Sequence, residues 1–183
     1  MYESTKSIVK SIMGSSVGDG TYGIPTVKFA NLKESGKLKI GKFCSISDKV
    51  EILMAGEHNY KLATTFPFDE FFTGQTENTH RFSNGDVTIG NDVWIGHDVL
   101  ILSGVTIPDG CIIGAGTVLR KSIQSPYSIV CGNPAKVVKK RFSKDIIDKM
   151  MLIKWWDWPM DRIKSEIPFL LSDAKTFVQR NHP

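Results

Sequence analysis

The chain has 183 residues, 41% of them hydrophobic, with 23 Lys and Arg against 19 Asp and Glu for a formal net charge of +4. That length suits one domain with an appendage, and the charge is too small to argue for nucleic acid. There is no 18-residue apolar run, the N-terminus lacks the apolar core of a signal peptide, and the three cysteines form no CxxC pair, so the expectation is a cytoplasmic protein without membrane insertion.

In chain order, residues 5–13 have the spacing of a short helix with Ile8, Val9, Ile12 and Met13 on one face. A period of six then begins. Ile40, Ile46 and Ile52 stand six apart, with Cys44 and Val50 at a companion position. The register breaks between residues 53 and 87, a stretch holding Tyr60, Phe66, Phe68, Phe71, Phe72 and Phe82. A loop this long inside a compact domain is uncommon and often functional, although packing on a neighbouring coil or subunit would also explain its rings. The repeat resumes with Ile89, Ile95, Ile101, Ile107, Ile113 and Leu119, accompanied by Val93, Val99, Val105, Cys111, Thr117 and Ile123.

A period of six fits neither a helix, which needs 3.6, nor a half-buried strand, which needs two. Between the aliphatic residues fall Gly90-Asn91-Asp92, Ser103-Gly104, Pro108-Asp109-Gly110 and Gly114-Ala115-Gly116, residue types that suit turns and disfavour helix interiors. Each unit reads as a short strand plus a turn, and three units close one triangular coil around the aliphatic residues. The expected architecture is mainly β, a parallel β-helix. Cys44 and Cys111 fall in its inward register and read as core.

Basic residues gather where the coil ends: Lys136, Lys139, Lys140, Arg141 and Lys144. A solvated surface explains any one of them, and as a group they suit a phosphorylated ligand. After Arg141 the pattern turns helical, with Ser143 as N-cap and Ile146, Ile147, Met150 and Met151 on one face. Trp155, Trp156 and Trp158 follow, Pro159 ends the segment, and further helices are expected over 161–166 and over 173–179 behind Ser172. This tail, residues 142–183, is expected to clasp the open end of the prism formed by 1–141, with the tryptophans in its core.

Four histidines are the main candidates for chemistry. His182 is penultimate, His97 follows Gly96 in a repeat turn, and His80 lies in the excursion. His58 stands where the coil register ends and the aromatic segment begins, a place for a base or a structural residue. Their spacing fits no local zinc motif, so no metal is expected.

Several segments in succession carry a resemblance: GDGTYG (18–23), KLKIGKFCSI (37–46), AGEHNY (55–60), TTFPF (64–68), VTIGNDVWIGHDVLILSGVTIPDGCIIGAGTVL (87–119) and YSIVCGNPAKVVKKRF (127–142). Together, over about residues 15–160, the chain resembles the xenobiotic acetyltransferase branch of the hexapeptide-repeat acyltransferases. That branch holds streptogramin and type-B chloramphenicol acetyltransferases and relatives that O-acetylate sugars. The resemblance implies a left-handed β-helix, a homotrimer with active sites between subunits, and acetyl-CoA lying along a coil edge. It matches the family's catalytic histidine to His58, which would act as general base on an acceptor hydroxyl. For acetyl-CoA it points to Trp94, Gly114, Ala115, Gly132, Asn133 and Pro134, with Lys136, Lys139 and Arg141 toward the phosphates. For the acceptor it points to Tyr22, Phe66 and Phe68. Drug-modifying relatives commonly carry tyrosine where this chain has Phe66, so a hydroxyl contact is missing there and a specific drug substrate is in doubt. A sugar or polysaccharide precursor is the leading acceptor and an antibiotic the second, and the sequence does not separate them. A non-catalytic trimeric scaffold would need neither His58 nor a basic edge.

The orienting partner of His58 is expected to be a backbone carbonyl, since Glu57, its neighbour on a strand, faces the other way.

Overall fold

The computed structural model describes residues 5, 6, 9, 12, 14–30, 33, 35–74 and 80–181. Ile8, Met13 and His182 lie outside these, so the expectations attached to them are not described.

Short strands follow one another with turns between them: β1 (Ser16–Val17), β2 (Thr26–Lys28), β3 (Leu38–Ile40), β4 (Ser45–Ile46) and β5 (Glu51–Leu53). The excursion contributes β6 (Glu57–His58), a single wide helical turn over Asp69–Thr73, and β7 (Arg81–Phe82). The coil then returns with β8 (Val87–Ile89), β9 (Trp94–Ile95), β10 (Leu100–Ile101), β11 (Thr106–Ile107), β12 (Ile112–Ile113), β13 (Val118–Leu119) and β14 (Ser128–Cys131). Three parallel sheets result, in the orders β1-β3-β8-β11, β4-β9-β12-β14 and β2-β5-β10-β13. The fold is a left-handed parallel β-helix.

Register explains the period. Ile89 pairs with Ile107, Ile95 with Ile113 and Ile101 with Leu119, so three six-residue units make one coil and like stacks on like. Ile40, Ile46 and Ile52 enter the same columns by pairing with Ile89, Ile95 and Ile101, with the excursion inserted between those two coils. Every aliphatic position of the two series is buried, and Ile95, Ile101, Ile107 and Ile113 are wholly inaccessible. Burial of one such side chain is worth roughly 1.5–3 kcal/mol, and the stacked columns supply the stability that two-residue strands cannot.

Cys111 sits inside the prism with its Sγ 3.7 Å from the Ser125 carbonyl. Cys111→Ser is expected to lower stability by about 1–3 kcal/mol, because the shorter C–O bond leaves a buried hydroxyl without a good acceptor. Chemical denaturation measures this, and wild-type stability combined with lost turnover would contradict a core role.

The coil ends differently from expectation. β15 (Lys136–Lys140) folds back antiparallel on β14 and covers its edge. The tail helices do not sit over the open end. They line one corner of the prism, where Phe43 meets Trp155 at 5.0 Å between ring centroids and Lys42 reaches Asp157 at 2.9 Å. The physical reason is a second core along that corner: Tyr127, Ile147, Met150, Trp156, Phe177 and Val178 bury one another there. The tryptophans serve this packing. Gly110 is fixed by it as well, since its φ is +67° and a Cβ would lie 2.4 Å from the Tyr127 ring.

Helix α1 (Lys144–Ile153) starts after Ser143, which holds the N-cap position without a side-chain bond. Helix α2 (Met160–Leu170) runs beyond the expected 161–166 because Phe169 and Leu170 pack on the second core. Helix α3 (Ala174–Asn181) is capped by Asp173, not Ser172: its Oδ1 accepts the N–H groups of Lys175 and Thr176, each at 3.1 Å.

Candidate active site

The prism has three kinds of corner. One carries the tail, a second carries the turns between the β9 and β12 strands and their successors, and the third opens into the excursion. His58 belongs to the third. The hairpin of β6 and β7, in which His58 faces Arg81, is anchored there by polar bonds. Glu57 accepts hydrogen bonds from Ser103 Oγ at 2.6 Å and Asn84 Nδ2 at 3.2 Å, and Ser83 Oγ donates to the Met54 carbonyl. Strand alternation sends Glu57 toward this anchor and leaves His58 exposed on the other side.

His58 Nδ1 lies 2.8 Å from the backbone oxygen of Thr65. A carbonyl oxygen can only accept, so Nδ1 carries a proton, and in the neutral ring the lone pair is on Nε2. Among the described residues no hydrogen bond engages Nε2. The orienting group is thus a carbonyl, within the TTFPF segment itself.

Beyond Thr65 the same segment builds an aromatic wall. Phe66 contacts Phe68 edge-on at 4.8 Å and Phe71 at 5.5 Å, and Phe68 contacts Phe72 at 5.5 Å. All four rings are exposed in the single chain. The structure therefore places Phe66 and Phe68 beside His58's orienting carbonyl. Tyr22 and Trp94 lie elsewhere, exposed on the sheet of β4, β9, β12 and β14, where both align with Ser45. One chain does not bring them to His58. His97 sits on a coil turn near Asp98, and its carbonyl accepts the Gly116 N–H.

The remaining candidates follow the second corner. Gly114 and Ala115 occupy the turn after β12, and Gly132, Asn133 and Pro134 the turn after β14. The two are stacked, with Val118 N–H donating to the Gly132 carbonyl and Gly132 N–H to Thr117 Oγ1. Ala115 and the Gly132–Pro134 turn are exposed, a backbone edge without bulky side chains. Next to it lies a cleft of about 230 Å³ lined by Arg120, Lys121, Pro134, Ala135 and Lys136. Among the described residues none of these three cations, nor Lys139, makes an ion pair. Sequence reasoning missed Arg120 and Lys121, although their position just past the last repeat residue, Leu119, was a usable signal.

Arg141 departs from expectation. Its guanidinium donates to Asp92 Oδ2 at 3.0 Å and to the Gly110 carbonyl at 2.8 Å, and it stacks over the rings of Tyr127 and Phe142. Asp92 compensates its charge on the tail corner, so Arg141 pins the tail and is not available to a phosphate at the Gly132 turn. Burial pushes the Asp92 carboxyl above the usual aspartate range, against the pull of Arg141.

A prism of six-residue units interrupted by a histidine-bearing excursion places the chain among the hexapeptide-repeat proteins. Residues 86–121 match the family described as "Bacterial transferase hexapeptide (six repeats)". Over 151 residues the chain is 41% identical to a chloramphenicol acetyltransferase of Escherichia coli, covering 79% of this chain and 70% of that protein. It is 44% identical to a probable macrolide acetyltransferase of Lysinibacillus sphaericus, over 75% of this chain and 79% of the relative. A virginiamycin A acetyltransferase of Staphylococcus aureus is 41% identical over 79% of this chain and 67% of its own. The chain belongs to the xenobiotic acetyltransferase family of hexapeptide-repeat acyltransferases, and it is an acetyltransferase.

Proposed function

We propose that the enzyme moves an acetyl group from acetyl-CoA to a hydroxyl of a sugar or polysaccharide precursor, with His58 as general base. The observation that carries this is the 2.8 Å contact of His58 Nδ1 with the Thr65 carbonyl, which calls for a proton on Nδ1 and makes Nε2 the basic nitrogen of the neutral ring. As the hydroxyl oxygen bonds to the thioester carbonyl carbon, Nε2 takes its proton. The C–S bond then breaks, and the imidazolium returns the proton to the departing sulfur. General base help of this kind contributes about 10² to 10⁴ in rate. A backbone N–H of a coil turn would stabilise the oxyanion.

The chain's own residues fit the donor. Gly114, Ala115 and the Gly132 turn let an extended pantetheine arm approach the backbone, and Arg120, Lys121 and Lys136 offer uncompensated positive charge to the phosphates. Lys139 is a further candidate on the adjoining strand. Tyr22, Phe66 and Phe68 are assigned to the acceptor, Trp94 to the donor. Since Tyr22 and Trp94 sit on a different face from His58, the complete site needs a second copy of the chain, and the proposed assembly is a homotrimer. Light scattering at micromolar concentration is expected to give the mass of three chains, and a monomer would remove the intersubunit site. The proposal places the enzyme in the cytoplasm with its donor. Among the described residues no helix is long and apolar enough to cross a membrane.

An antibiotic acceptor is the second reading, favoured by the names of the relatives at 41–44% identity. Phe66, in place of the tyrosine common in drug-modifying relatives, puts a specific drug acceptor in doubt. Acetyl transfer to nucleotide sugars, oligosaccharides, chloramphenicol and streptogramins, measured side by side, tests both. Preference for a drug would overturn the sugar assignment, and transfer to none of them would remove both.

A further inference from the structure

The excursion holds a second histidine that this scheme does not use. His80 is 3% exposed, with Nδ1 2.9 Å from Asp69 Oδ1 and Nε2 3.4 Å from Glu70 Oε2. Both ring nitrogens are buried, each with a carboxylate oxygen beside it, and Nδ1 is within hydrogen-bonding reach of the Asp69 carboxylate. Against the cost of desolvation, the Glu70 backbone N–H and this imidazole hold the Asp69 carboxyl below the usual aspartate range. Among the described residues, the other charged or titratable groups around it are Arg81 from β7, which pairs with Glu70, and His58 from β6, whose ring centroid is 6.1 Å away. Glu57 of β6 is turned toward Ser103 and Asn84.

The placement of His80 joins two segments. Its own carbonyl accepts the N–H of Asn59, the residue after His58, at 2.8 Å. On the other side, Asp69 opens the helical turn that continues directly from Thr65. The intervening chain is tied together, with Phe66 N–H on Thr64 Oγ1, Phe68 N–H on the Phe66 carbonyl and Phe71 N–H on the Pro67 carbonyl. Holding Asp69 therefore holds Thr65.

The geometry points to His80 as a positioning residue: its ring, seated between Asp69 and Glu70, clamps the Asp69-Glu70 turn to the His58 hairpin and so keeps the Thr65 carbonyl on His58 Nδ1. The inference rests on the reading of His58 as the base, and it names the device that sets the tautomer of that base.

Nitrogen-15 NMR of the imidazoles in the full chain tests it without an acceptor. In the wild type His58 is expected as the Nδ1–H tautomer. His80→Asn should shift it toward a mixture of tautomers, Asp69→Asn should do the same, and the double variant should go no further, since the two act as one unit. His97→Ala should leave His58 unchanged. If His80→Asn does not fold, Asp69→Asn, on an exposed turn, tests the same clamp. A His58 tautomer unaffected by both His80→Asn and Asp69→Asn overturns the inference. Full acetyl transfer by His58→Ala would instead remove the base while leaving the NMR outcome as it stands.

Discussion

His58→Ala is expected to lower acetyl transfer by at least about 10² while the affinity for acetyl-CoA changes little. The imidazole takes a proton only in the transition state, whereas the proposed donor contacts lie on another corner of the prism, at Gly114, Ala115 and the Gly132 turn. Steady-state kinetics with isothermal titration of acetyl-CoA separates the two effects. His97→Ala removes an imidazole that, among the described residues, makes no contact with the Thr65 segment; because its turn stacks on the Ala115 turn of the proposed donor edge, the variant's acetyl-CoA affinity is measured alongside. His80→Ala is not a neutral control, since the side chain bridges Asp69 and Glu70 beside the site. Normal turnover in His58→Ala would reject the base. An equal loss in His97→Ala with unchanged acetyl-CoA affinity would trace both effects to folding.

The fold was legible because its signal is repetitive. Each inward position recurs every six residues, and a column such as Ile40, Ile89 and Ile107 needs only one property, aliphatic bulk, at each step. The place of His58 was legible for a related reason: the excursion announces itself as the point where that recurrence stops. Its orienting carbonyl followed from strand alternation, which turns Glu57 the other way. Thr65 itself could not be named, because a backbone carbonyl carries no residue type. The tail was half legible. Helical spacing marked α1, but its docking surface is built from Phe43, Asp92, Gly110 and Tyr127, residues far apart in the chain and brought into line only by coil stacking. Arg141 illustrates the cost of reading a basic run by composition. Lys136 and Arg141 look alike in sequence, yet one lines an exposed cleft and the other is folded against a carboxylate and two rings. The clamp at His80 was invisible for the opposite reason, since Asp69 and Glu70 precede it by eleven and ten residues in a stretch without a repeat.

Arg141→Ala is the second large effect to expect, on stability and not on chemistry. The guanidinium joins β15 to the coil through Asp92 and the Gly110 carbonyl and fills the space over Tyr127 and Phe142. Removing one partner of a largely buried pair leaves the other charge uncompensated, which typically costs about 3–5 kcal/mol. The pH dependence supplies the discriminating sign. Burial already raises the folded-state pKa of Asp92 above its unfolded value of 3.8. An acid shifted upward binds its proton more tightly in the folded state, so its contribution to stability is largest below the unfolded pKa and is lost as pH rises through the folded one. Without Arg141 the carboxyl should shift further up, and the variant should lose more stability at neutral pH than in acid, where Asp92 is protonated and nothing is left unpaired. Denaturant unfolding of both proteins at about pH 4 and pH 7 measures the difference. A deficit of the same size at both pH values would show that Arg141 acts through its stacking on Tyr127 and Phe142 alone, and Asp92→Asn would then be nearly silent.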